Sequence, residues 1–196
     1  MKEDRCCHGR QAPPLTPHGS GRNDRLAAGV AGAGAGQWDF NRPFTEAGWP
    51  DAEGDPEALW TDHVHHLYAV IDLLRAAHPH LRIESCGSGG ARLDPGILAR
   101  TDQVWTSDIT DALDRLDIQH GFSQLYPPRV MGAWVIDSPN PYAGRSLPLD
   151  FRFHVAMAGV LAVGGELTRW SEAELARAAE LVAAYKRVRP LGTVPG

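Results

Sequence analysis

From Gln37 onward, short apolar runs alternate with stretches of helical period. Residues 56–77 put Leu59, Trp60, His63, Leu67, Val70, Ile71 and Leu74 on one face, with Pro56 at the first helical position behind Asp55. This spacing predicts an amphipathic helix. It runs into His78-Pro79, and LRIESC (81–86) then reads as a strand ending in the glycine-rich turn GSGG. A brief helix around 94–100, a strand QVWTS (103–107) and a helix from about 109 to 118 follow, the last with Leu113, Leu116 and Ile118 as its apolar side. MGAWVID (131–137) is a further strand, and VAMAGVLAVGG (155–165) reads as helix leading into strand. SEAELARAAELVAAYKRV closes the pattern as a helix with Ser171 and Glu174 as a capping box. Five strand-like segments alternating with helices predict an α/β fold with a parallel sheet, open or barrel. Five strands are too few to close an eight-stranded barrel, so a barrel built here is little more than half of one.

Residues 1–36 change the domain picture. Pro, Gly, Arg, His and Ala dominate them, and AGAGAG has no side chains from which to build a core. They are expected to be disordered and low in complexity, leaving 37–196 as the folded domain. Nineteen Lys and Arg against 24 Asp and Glu, with no basic stripe, argue against a nucleic-acid partner. No run approaches the roughly 20 apolar residues that span a bilayer, and no membrane association is expected. Cys6, Cys7 and Cys86 make an odd set that suits a reducing, cytoplasmic setting, and the N-terminus lacks the apolar core of a signal peptide.

In parallel α/β folds chemistry collects at the carboxyl ends of strands. Polar residues recur at the predicted ends: Asp39 and Asn41, Glu84 and Cys86 with GSGG, Ser107 and Asp108, Asp137 and Asn140. Taken singly, each is equally an ordinary helix N-cap. Asp39 in QWD and Asp108 in WTSD also stand close to tryptophans. Two strand-end acids beside aromatic platforms suit sugar hydrolysis, in which one acid attacks or stabilises the anomeric carbon and the other protonates the departing oxygen. Rival sites are weaker. GSGGAR (87–92) lacks the Lys-Ser/Thr of a phosphate loop, His63, His65 and His66 lack a zinc-binding pattern, and Cys6-Cys7-His8 has no second ligand pair.

WDFNR, ESCGSGGARLDPGIL, VWTSDITDALDRLDIQHG, YPP, MGAWV and PLDFRFHVAMAGVL follow one another in an order and spacing that resembles family 36 glycoside hydrolases, the melibiase-type alpha-galactosidases, over essentially residues 37–190. The resemblance implies the C-terminal half or slightly more of a (β/α)8 TIM barrel. It also implies retaining hydrolysis of terminal alpha-galactosides such as melibiose and raffinose, without metal or organic cofactor. By the same resemblance Asp39 matches the family's nucleophile and Asp108 its acid/base, while Asp111 orients or caps the following helix. Gln37, Asn41, Cys86, Ser88, Gly89 and Trp105 match its substrate-binding positions. Gln37 stands where the family motif has lysine, a neutral amide in place of a cation beside the nucleophile. The implied partner is a small oligosaccharide with terminal alpha-galactose, and full-length relatives are of a kind that can form homo-oligomers. Two further readings stay open, a raffinose or stachyose synthase-like transglycosylase and a non-catalytic galactoside-binding remnant.

Overall fold

A computed structural model describes residues 35–39, 55 and 58–189. All of them belong to one unit of the chain, Ala33–Gly196. The expectations for residues 1–34 and for Asn41, Arg42 and Pro56 fall outside the described residues. In chain order the elements are β1 (Ala35–Asp39), α1 (Leu59–Ala77), β2 (Arg82–Cys86), α2 (Pro95–Leu98), β3 (Gln103–Trp105) and α3 (Ala112–Ser123), followed by β4 (Met131–Val135), α4 (Leu149–Ala156), β5 (Val160–Val163) and α5 (Glu172–Val188). Single 3-10 turns at Pro128–Val130 and Leu167–Arg169 precede β4 and α5. The five strands form one parallel sheet in the order β1-β2-β3-β4-β5. Each helical crossover thus advances the chain by one strand, the winding of a (β/α) barrel, and the sheet does not close on itself among the described residues.

Local chemistry accounts for the helix starts. Asp94 accepts from the amides of Gly96 (2.7 Å) and Ile97 (3.0 Å) ahead of Pro95, a residue suited to the first helical position. The predicted capping box is present: the Ser171 hydroxyl accepts from the Glu174 amide (3.3 Å) and the Glu174 carboxylate accepts from the Ser171 amide (2.9 Å). On the helix side of the sheet Ala133, Val135, Phe153, Ala156, Ala178 and Leu181 pack into one buried cluster. Each large side chain removed from water there contributes roughly 1.5–3 kcal/mol.

Helix α1 buries only Leu67 and Ile71 of its predicted apolar face, while Trp60 and Val70 stay exposed. Polar ties hold it instead. Arg75 donates to the Asp102 carboxylate (2.7 Å) and the Arg100 carbonyl (2.6 Å), and the Tyr68 hydroxyl donates to Asp94 (2.6 Å). Burial and the Asp94 carboxylate push the Tyr68 phenol up to about 12.

The predicted face of α3 is reversed. Leu113 and Leu116 are exposed, and the buried residues are Ala112, Arg115, Gln119 and Phe122. Arg115 spans the space to the sheet, donating to the carbonyls of Gly132 (2.6 Å) and Ser107 (3.4 Å), and Gln119 donates to the Val155 carbonyl (2.9 Å). These buried donors find their partners in backbone carbonyls of neighbouring elements. The cost is visible in Arg115, whose guanidinium burial lowers to about 10.

Candidate active site

Strand register decides which predicted residues share a face. Gln37 lies opposite Glu84, Asp39 opposite Cys86, Glu84 opposite Gln103, and Trp105 opposite Gly132. Side chains alternate along a strand, so Gln37, Asp39, Glu84, Cys86, Gln103, Trp105 and Trp134 all lie on the face away from the helix-side cluster. Glu84, expected at a strand end, sits mid-strand and buried, accepting from the Gln103 amide (2.6 Å). Burial raises it above the usual carboxylate range, and the Gln103 hydrogen bond opposes that rise.

Asp39 is the last residue of β1 and is exposed. Its neighbour Cys86 is buried, and the Cys86 thiol hydrogen-bonds with the side chains of both Asp39 and Gln37; burial pushes the thiol up. Arg92, on the loop after β2, lies within electrostatic reach of Asp39, whose charge opposes the lowering that burial imposes on the guanidinium. A cation therefore serves this carboxylate from the loop, although position 37 holds an amide. Arg92 is the last residue of GSGGAR, a stretch whose glycines draw attention to a phosphate loop and away from its cation.

The GSGG turn ties the ends of β2 and β3 together. Its Gly87 amide donates to the Gly89 carbonyl (3.1 Å) and its Gly90 amide to the Thr106 carbonyl (3.0 Å), which removes both donors from anion binding. Gly89 adopts φ +83°, and a Cβ there would stand 2.9 Å from the Ser107 Cα, so glycine is needed for conformation and for space. Ser88 is exposed, at φ 53°.

Asp108 follows β3, exposed, with its carboxylate accepting from the Trp105 indole N–H (2.8 Å). Trp105 is held from two sides, by the tilted ring of Trp134 (centroids 4.9 Å apart) and by the Arg115 guanidinium 5.8 Å above its ring. Asp111, almost wholly buried, is the N-cap of α3, accepting from the Leu113 amide (3.0 Å), with Arg145 3.2 Å away. It orients the helix, as expected. Asp137 also proves structural. The Trp170 indole and the Glu166 amide donate to it and hold its carboxyl below the usual range.

Trp105, Asp108, Trp134, Asp137, Asn140 and Tyr142 line a cleft of about 830 Å³. The structure thus gathers Gln37, Asp39 and Cys86 into one group and Trp105 and Asp108 into another, both at the carboxyl end of the same face. One strand separates them, placing the backbones of β1 and β3 about 9.5 Å apart.

The sequence profile of the melibiase family matches residues 32–194. The chain belongs to the melibiase family. Alpha-galactosidase AgaA of Geobacillus stearothermophilus is 42% identical over 159 residues, which are 79% of this chain and 21% of that protein. Crystal structures of variants of the same alpha-galactosidase superpose on this melibiase-family chain. One is in complex with stachyose, with TM-score 0.79 and 36% identity over 90% of this chain and 27% of that one. Another is in complex with raffinose, with TM-score 0.74 and 37% identity over 90% and 27%. The chain spans about a fifth of the length of the curated relatives it matches.

Proposed function

We propose that this chain carries the two catalytic carboxylates of a retaining exo-alpha-galactosidase acting on terminal alpha-galactosides such as melibiose and raffinose. The observation that carries the reading is the placement of Asp39 at the carboxyl end of β1 and of Asp108 just past the carboxyl end of β3, where it accepts from Trp105, which packs on Trp134. A retaining pair works with carboxyl groups about 5–5.5 Å apart, a separation that two side chains reaching inward from strands about 9.5 Å apart can attain. Both Geobacillus complexes contain a substituted aspartate, in keeping with a mechanism that depends on aspartates.

In this reading the Asp39 carboxylate attacks the anomeric carbon while the Asp108 carboxyl gives its proton to the leaving oxygen, and the C–O bond breaks to form a galactosyl ester. Asp108 then takes a proton from water, which attacks the anomeric carbon and frees Asp39. Arg92 lies within electrostatic reach of Asp39. Gln37, Cys86, Ser88, Gly89 and Trp105 surround the galactose, and the assignment of Asn41 rests on its motif alone. The free, buried Cys86 is in keeping with a reducing, cytoplasmic setting.

Because the sheet is open among the described residues, turnover by the chain alone is expected to be weak. Hydrolysis of p-nitrophenyl alpha-galactoside followed by NMR should release the alpha-anomer first and be lost in Asp39→Asn. Release of the beta-anomer first, or turnover untouched by that change, would refute the mechanism. Galactose-dependent thermal stabilisation without hydrolysis would identify a binding module, and transfer to an added acceptor sugar would identify a transglycosylase.

A further inference from the structure

The loop joining β4 to α4 is tightly self-bonded, yet it holds an aromatic ring out in water. The Asn140 side-chain carbonyl accepts from the amides of Tyr142 (2.9 Å) and Ala143 (2.8 Å), and the Asn140 amide donates to the Arg145 carbonyl (2.8 Å). Gly144, at φ +68°, donates to the Asn140 carbonyl (2.8 Å), and Ser138 accepts from the Leu147 amide (3.1 Å). Arg145 pins the whole loop to the start of α3 through Asp111 and Asp114. Asn140 is 5% exposed at the loop's centre, while Tyr142 at its tip is 85% exposed and lines the same cleft as Asp108, Trp105 and Trp134.

Strand order gives this ring a direction. β4 lies beyond β3 on the side away from β1. If Asp39 attacks the anomeric carbon from β1 and Asp108 protonates the leaving oxygen from β3, the leaving group lies past Asp108, under the loop that follows β4. We propose that Tyr142 is the platform on which the leaving-group sugar stacks, and so a residue that sets preference for oligosaccharide over simple galactosides. This rests on the galactosidase reading above. A rigid loop presents the ring with little entropy left to lose on binding, and an aromatic face suits the apolar C–H side of a sugar ring.

Titration calorimetry of the chain with raffinose and with galactose, in Tyr142→Ala and Tyr142→Phe, tests it. The alanine variant should lower the ratio of raffinose to galactose affinity by about three- to ten-fold, and the phenylalanine variant should retain most of it. A melting temperature close to that of the parent chain would verify folding, as expected for so exposed a side chain. An unchanged ratio in Tyr142→Ala, or equal loss of both sugars, overturns the platform while leaving the galactosidase reading standing. Failure of the parent chain to bind either sugar overturns that reading and the platform with it.

Discussion

On the helix side of the sheet Ala133, Val135 and Phe153 are closed to water, whereas the same sheet's other face carries Glu84, Gln103 and Trp134, the last 38% exposed. One register thus assigns apolar volume to stability and polar and aromatic groups to recognition, and substitutions on the two faces should fail in different ways. The sharpest contrast is Phe153→Ala against Trp134→Ala. The first should cost about 3–5 kcal/mol in denaturant unfolding, and the second less than half of that. Equal losses would mean that the inward face also carries the fold.

Arg115 crosses from one side to the other and provides the next test. Its removal as Arg115→Ala takes a buried donor from the Gly132 carbonyl and frees one side of Trp105, for an expected loss of about 2–3 kcal/mol with a changed near-ultraviolet tryptophan signal. A loss without any spectral change would show that the arginine supports the helix alone.

Glu84→Gln should have the smallest effect and the opposite sign. Burial raises the folded-state value of Glu84 above its usual 4.5, so the neutral form is favoured in the fold. Its penalty is absent below that usual value and grows as pH rises through the raised one. The glutamine variant should therefore match the parent near pH 4 and melt higher at pH 8. A higher melting temperature for the parent at pH 8 would contradict the burial of an unfavourable charge.

Much of the architecture was legible in the sequence because it rests on local signals. Alternating apolar runs marked the strands, and Ser171 with Glu174 marked the last helix start. The α3 face departs from its leucine periodicity, because Arg115 and Gln119 take the inner positions and donate to carbonyls on neighbouring elements. The pairing of Asp39 with Cys86 depends on register between segments far apart in sequence, and the motif resemblance could name both residues without placing them. Nothing in the local sequence of Arg92 reports that Asp39, at the end of β1, comes within its electrostatic reach.

The contact of Gly89 with Ser107 has a practical consequence. With no room for a side chain between them and the Gly90 amide bonded to Thr106, the loops after β2 and β3 form a single cassette. A designer grafting either loop from another barrel must transplant residues 87–92 and 106–108 together, since a replacement for one half would meet the backbone of the other.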